Sequence, residues 1–493
     1  MPEIKALSPD ANDTTNMIRV LFIATICLIT LQAEAQTFSD FVIRVNIAQE
    51  QRRQFMVDSM LSTVTNYPYS ESDSMVWFFY KGPAQEVAVA GDMNSWSDTQ
   101  SPLQRLSNTD LWYRGERFAP DTRIDYKLVV DGNWILDPRN PYTVSGGFGP
   151  NSELRMPGYV PPDEIIRHEG VPHGSIIDTI FSSTALGGDR QVRIYLPAGY
   201  DSGTERYPVM LFHDGLDYYT LGSAANVLDN MIHEQRIPPC IGVFVPALDR
   251  TQEYAGASID AFTDFIVHTV MKRIDATYRT RSEPEARAMI GSSNGGNIAL
   301  YIAMKHPEVF GCSAAQSSNI ITSVFDTFRN GPVLPVRLYL DLGIYDIQVL
   351  IPMVHSFVPL LQSKGYEVLY REYNEGHSWG SWRAHIDNAL VFFFARLLSS
   401  TDSPPASQGF DVSPVWPNPA SRQVTLPFAL ARGERLRITL CDALGRELRL
   451  LHDGHHPAGA GRMTLRLPSL GAGAYFLRIS GESGVRSQRL LLR

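Results

Sequence analysis

Cysteine is scarce in this chain: four among 493 residues, too few for a disulfide scaffold. No Cys-x-x-Cys or His-Glu-x-x-His spacing occurs, so the sequence displays no metal site. Positive charge is also in short supply. Lys and Arg number 43 against 52 acidic residues, a formal charge of −9. A nucleic-acid partner needs a basic face to neutralise phosphates, and this balance argues against one. Long apolar runs are missing except for one, Val20 to Leu31, which is too short to span a bilayer comfortably. No permanent membrane span is expected. What is present is a hydrophobic fraction of 44% with only 19% charged residues, enough to bury a core. At roughly 150 residues per domain the length allows about three domains.

The apolar run follows Met17-Ile18-Arg19 and precedes Ala33-Glu34-Ala35. A basic residue, an apolar stretch and an A-x-A site read as a secretory signal peptide over residues 1–35, with Met17 as a candidate start. Cys27 would leave with it, and Cys240 and Cys312 sit beside apolar strand-like runs as small hydrophobes.

Composition divides the remainder. Residues 36–73 read as an amphipathic helical lead-in around Phe41, Val45, Ile47, Phe55 and Met60. Residues 74–157 hold short β-branched and aromatic runs broken by Gly, Asn and Asp, the pattern of a β-sandwich. Residues 158–175 read as a linker. Residues 176–400 alternate strand-like and helix-like runs, which predicts a parallel sheet covered by helices. Residues 401–411 are a second linker. Residues 412–493 return to short β runs. From residue 410 onward there are twelve Arg, no Lys, three Asp and three Glu, so this tail carries 12 − 6 = +6 against −15 for the rest.

The chemistry lies in the α/β segment. Ala286 to Ile290 is a short apolar run, Gly291-Ser292-Ser293-Asn294-Gly295 follows, and a helix-like run continues to Met304. Strand, G-x-S-x-G and helix in that order make a nucleophile elbow, which predicts the α/β-hydrolase fold. A serine needs a base, and the base needs an acid to orient it. In this fold both follow the serine in the chain. Asp346, 53 residues on, and His377, 31 further, each follow a strand-like run, so both fall at the carboxyl edge of the sheet with Ser293. Asp341 is the rival acid but lies within its strand run. The oxyanion hole is expected from the amide of Asn294 and that of Leu216 or Gly215, in the loop after Val209 to Phe212. His213 and Asp214 are expected to brace that loop through side-chain hydrogen bonds, or to touch substrate.

These residues resemble the putative-esterase family that includes esterase D, enterochelin esterase and the family 1 carbohydrate esterases. The resemblance rests on His213-Asp214-Gly215, Arg250 with Glu253-Tyr254, Gly291 to Gly296, Gly343 with Asp346, and Gly376-His377-Ser378 followed by Trp382-Arg383. Asn294 departs from the family, whose members often carry Met, Phe or Leu there. The resemblance implies a serine esterase without metal or organic cofactor, with His213, Asp214, Arg250, Trp379 and Trp382 around the substrate pocket.

The flanking segments carry two further resemblances. Val89-x-Gly91-Asp92-Met93-Asn94-x-Trp96, Asp131-Gly132-x-Trp134 and Asn151-Ser152 resemble a family-48 carbohydrate-binding module, an immunoglobulin-like sandwich. That likeness implies a sugar platform of Trp96, Lys127, Trp134 and Asn151, since aromatic rings suit the apolar faces of sugars. Pro417-Asn418-Pro419 and Gly473-x-Tyr475 resemble the sorting domain of type IX secretion. It implies the type IX machinery as partner and export through periplasm and outer membrane. Together the resemblances imply a secreted esterase acting on feruloyl or acetyl esters of plant polysaccharide. A siderophore trilactone esterase and a non-catalytic glycan-binding surface protein are the alternatives.

Overall fold

The computed structural model describes residues 37–398 apart from 148, and 410–492 with gaps at 413–414, 416–417, 419, 421, 442–446, 469, 472 and 482–483. The signal-peptide expectation lies outside the described residues. The chain divides into two compact units, one ending at Leu397 and one beginning at Leu398.

The first unit opens with two helices, Phe38–Ile47 and Glu50–Thr63. Thr37 and Asp40 form a reciprocal cap at the start of the first. The helices cover one face of a β-sandwich, and strand alternation explains how. In β2 (Met75–Lys81), Val76 and Phe78 point into the sandwich core, while Trp77 and Phe79 point out against Phe38, Phe41, Val57 and Leu61. Two expected core positions are corrected here. Ile47 and Phe55 are exposed: the first helix buries Phe38, Phe41 and Val45, and the second buries Val57 and Leu61, one turn apart.

One sandwich sheet runs β1 (Tyr69–Ser70), β2, β5 (Leu111–Arg117), β4 (Gln104–Arg105). In the other, β6 (Arg123–Val130) pairs with β3 (Val87–Gly91), β7 (Asn133–Ile135) and β9 (Gly149–Arg155), and β9 with β8 (Thr143–Gly146). Residues 158–175 are not a free tether. Side-chain amides of Asn226 and Asn230 donate to the carbonyls of Ile165, Glu164 and Ile166, strapping the segment to the helix Ala224–His233.

The α/β segment then builds eight strands: β10 (Ser175–Ser183), β11 (Gly188–Leu196), β12 (Val209–His213), β13 (Ile241–Val245), β14 (Arg287–Ser292), β15 (Cys312–Gln316), β16 (Arg337–Tyr345) and β17 (Glu367–Gly376). Their order is β10-β11-β13-β12-β14-β15-β16-β17. β10 and β11 pair antiparallel and the rest run parallel from β13 to β17. This is the α/β-hydrolase arrangement. Both faces are covered: Val209 and Leu211 enter one core, Met210 and Phe212 the other. A fully buried side chain such as Phe212 contributes about 2–3 kcal/mol. Cys240 and Cys312 are buried thiols in the second core. β17 also pairs with β6, Glu375 opposite Arg123, so a sandwich sheet continues the hydrolase sheet.

The second unit is a small sandwich. One sheet runs β18 (Phe410–Val412), β19 (Gln423–Leu430), β22 (Gly459–Arg466); the other runs β21 (Glu447–His456), β20 (Glu434–Cys441), β23 (Gly473–Gly481), β24 (Gly484–Leu492). Val424, Leu426, Ile438 and Leu477 fill its core. No described helix is long and apolar enough to cross a membrane.

Candidate active site

β14 is buried throughout and delivers Ser293 to a sharp turn at φ 54°, ψ −122°. This left-handed conformation is costly for any residue with a side chain and persists only where its surroundings enforce it. Two glycines make room. A Cβ on Gly291 would lie 2.1 Å from the Gly295 carbonyl oxygen, and one on Gly295 would lie 2.9 Å from the Asp214 carboxylate. The helix Asn294–Lys305 starts at once, and the amide of Asn294 meets no acceptor among the described residues. Such an amide at a helix N-terminus is suited to a developing anion.

The loop after β12 supplies two further amides. Asp214 adopts φ 53°, and the helix Gly215–Thr220 begins beside it. A Cβ on Gly215 would come within 2.2 Å of the backbone of Phe244 and Val245, so only glycine fits. The amides of Gly215 and Leu216 have no acceptor among the described residues. Arg250 joins this loop to the elbow. Its Nε lies 2.9 Å from Asp214 Oδ2, and its Nη2 donates to the carbonyl of Ser292 at 2.7 Å. Burial pushes the Asp214 carboxyl up to about 6, against the pull of the Arg250 cation.

The acid and the histidine come from the next strands. β16 is irregular between Gly343 and Tyr345, and the turn that follows aims Asp346 inward. Asp346 Oδ1 lies 2.7 Å from His377 Nδ1 and also accepts the amide of Ile347. Asp341 takes no part. Its carboxylate accepts from Gln316 and Tyr339, and burial raises it to about 6.

Gln316, at the carboxyl end of β15, ties the two halves of the site together. Its carbonyl accepts the Ser293 amide at 2.8 Å. Its side-chain amide donates to the carbonyl of Trp382, whose ring meets His377 edge-on at 4.9 Å. Tyr218 donates to its other side. Gln316 escaped sequence reasoning; its place at the end of the strand beside the elbow is the one signal for it.

One expectation is corrected. His213 braces nothing: its ring is fully buried, neither nitrogen has a partner among the described residues, and it lies against Tyr254 and Phe262. It cannot reach substrate, and burial drives it down to about 3. Trp379 belongs to the core, packed on Tyr218 and Trp382. Trp382 is buried as well and presents an edge to His377. His385, partly buried, stacks on Tyr373 and bonds Glu375 at 3.2 Å. Burial disfavours its charge, but Glu375, Asp341 and Asp387 outweigh that and raise it.

Of the four expected glycan contacts, Trp96 and Trp134 stack with ring centres 6.4 Å apart. Trp134 is 43% exposed. Trp96 Nε1 donates to Asp92, and Asn151 donates to Asp125. Lys127 is half-buried, opposite Ala90 in the neighbouring strand.

Residues 183–337 match the model of a family described as "Putative esterase", and residues 414–493 match "Secretion system C-terminal sorting domain". An endo-1,4-beta-xylanase/feruloyl esterase of Xylanibacter ruminicola is 26% identical over 53% of this chain; the chain spans 37% of that relative's length. An iron(III) enterobactin esterase of Escherichia coli is 24% identical over 60% of this chain and 82% of its own. Among solved structures, an enterobactin esterase of Shigella flexneri superposes with a TM-score of 0.60 at 21% identity, over 69% of this chain and 98% of that one, a likeness of fold. The sorting tail marks the protein for export to the cell surface or medium.

Proposed function

We propose that this chain, whose central domain belongs to the putative esterase family and is a carboxylic ester hydrolase, works through Ser293, His377 and Asp346. The single observation that carries the reading is the pairing of Asp346 with His377 at 2.7 Å, after strands that run parallel to the one ending in the strained Ser293 turn and so at the same edge of the sheet. His377 Nε2 takes the hydroxyl proton as Ser293 Oγ attacks the ester carbonyl. Asp346 fixes the ring through Nδ1 and stabilises the imidazolium. The amides of Asn294 and Leu216, or Gly215, hold the oxyanion; each donor is worth about 3 kcal/mol of barrier. The imidazolium protonates the departing alkoxide. Water, deprotonated by His377, then attacks the acyl-enzyme, and Ser293 recovers its proton.

The substrate we assign is an acyl ester of plant polysaccharide, feruloyl or acetyl xylan in type. The xylanase/feruloyl esterase relative and the stacked Trp96–Trp134 pair support it. The second reading, a siderophore trilactone, is supported by the enterobactin esterase relative, whose likeness extends beyond the hydrolase segment. Product release from feruloylated arabinoxylan, acetylxylan and enterobactin by the full chain, with Ser293→Ala as control, tests both. Ferulate or acetate release lost in Ser293→Ala supports the first. Enterobactin cleavage alone selects the second. Activity surviving in Ser293→Ala overturns the nucleophile.

A further inference from the structure

Arg123 is the largest fully buried side chain of the sandwich, and it sits where β6 meets β17. Nε donates to Glu153 at 2.6 Å and Nη2 lies 2.6 Å from Asp125 Oδ1. Nη1 crosses into the hydrolase segment and donates to Ser378 Oγ at 2.8 Å. Ser378 directly follows His377. The backbone has been pared down on both sides of this contact. A Cβ on Gly380 would lie 1.8 Å from the guanidinium, and one on Gly376 would lie 2.1 Å from the Asp92 carboxylate. Sandwich side chains therefore press on both flanks of the His377 turn. A buried cation costs several kcal/mol of desolvation even when paired, so stability alone is a poor account of it.

We infer that Arg123 is a positioning residue for His377, and that the N-terminal sandwich is part of the catalytic apparatus. The inference rests on the proposed role of His377. Through Ser378, Arg123 fixes the direction from which the imidazole approaches Ser293. The same network reaches the aromatic face: Asp92 accepts from Trp96, and Asp125 from Asn151. A polymer lying on that face stands two side chains from the catalytic turn.

Ser378→Ala in the full chain tests this, since it removes the acceptor while leaving Arg123 its two carboxylates. With a soluble aryl ester, kcat should fall about tenfold with KM within about twofold, and Ser378→Thr should restore it. Deuterium exchange across residues 376–382 should quicken about tenfold in Ser378→Ala. Unchanged kcat together with unchanged exchange overturns the inference, as does a loss confined to KM. The exchange arm needs no substrate, so failure of the esterase reading (full activity in Ser293→Ala) is seen separately.

A different observation carries a second inference. Ligand atoms of Asp264, His268 and His306 all lie within 4.8 Å of one another. Asp264 ends one helix, and His268 follows in a π-helical turn, Phe265–Met271, of the kind that collects at functional sites. His306 closes the far end of the Ser293 helix. Its Nδ1 is held by Glu308 at 2.9 Å, which leaves Nε2 to bind, the usual carboxylate support of a metal-ligating imidazole. The geometry points to a binding site for a borderline divalent ion, Zn2+ in class, at a surface where Asp264 and His268 are exposed and His306 half-buried, with water completing the coordination. The sequence hid it because 38 residues separate the two histidines. Zn2+ titration of the chelator-treated full chain by calorimetry should show one site that disappears in both His268→Ala and His306→Ala. Binding that survives in both variants, or no binding at about 100 μM ion, overturns it.

Discussion

Arg250 Nη2 lies 2.7 Å from the carbonyl oxygen of Ser292, the residue immediately before the strained serine, while its Nε holds Asp214 in the loop of the other free amides. One guanidinium thus sets the separation of the two halves of the proposed oxyanion hole. Arg250→Ala should lower kcat/KM about 100-fold on small esters. Arg250→Lys should recover little, because an ammonium lacks the planar fork. Steady-state kinetics of the two variants decides it; a lysine as good as arginine would reduce the role to charge.

The two candidate acids separate cleanly. Asp346→Asn keeps the shape but spoils the hydrogen bond that sets the tautomer of His377, and kcat should drop by about 10³–10⁴. Asp341→Asn touches Gln316 and Tyr339 and removes a charge near His385, none of them a member of the proposed triad, so its effect on kcat should stay below about tenfold. Equal losses in both would mean that the wrong carboxylate has been assigned.

The elbow was legible because its steric demand is local: small residues must flank a serine held at positive φ, and Gly291 and Gly295 announce that in five letters. The order of strands and loops then placed Asp346 and His377 on one edge. His213 misled because the residue type suggests hydrogen bonding, and no local pattern shows that Tyr254 and Phe262 seal the ring. Arg123 was out of reach, since its partner Ser378 lies 255 residues away. Phe55 failed for a related reason: a helix with a weak apolar stripe is turned by what it packs on, here Trp77 and Phe79.

His213 makes stability depend on pH. Burial lowers it to about 3, whereas the unfolded chain titrates near 6.5. Between these values the unfolded state binds the extra proton. The stability is therefore fully present above about 6.5 and is lost as pH falls toward 3, by up to about 1.4 kcal/mol per pH unit. Asp214, raised by burial, acts oppositely: its contribution is present below about 3.9 and lost as pH rises toward about 6. Urea unfolding of wild type and His213→Gln from pH 4 to 7 separates the two. The difference in stability between the proteins should shrink with falling pH; a constant difference would mean that the ring protonates in the folded state.

Trp134 is the exposed half of the stacked pair, and Trp96 the half tied to Asp92 through its indole nitrogen. The two substitutions should therefore differ in kind. Trp134→Ala removes a ring face and should weaken retention on insoluble xylan about tenfold, the scale of one aromatic contact, without lowering the thermal midpoint. Trp96→Ala also deprives the buried Asp92, which packs against Gly376, of a donor. It should weaken xylan retention, lower the midpoint, and slow turnover of a soluble ester through the His377 turn. If both variants bind xylan like the parent while Trp96→Ala still slows turnover, the sandwich serves the catalytic loop and the sugar face is not used.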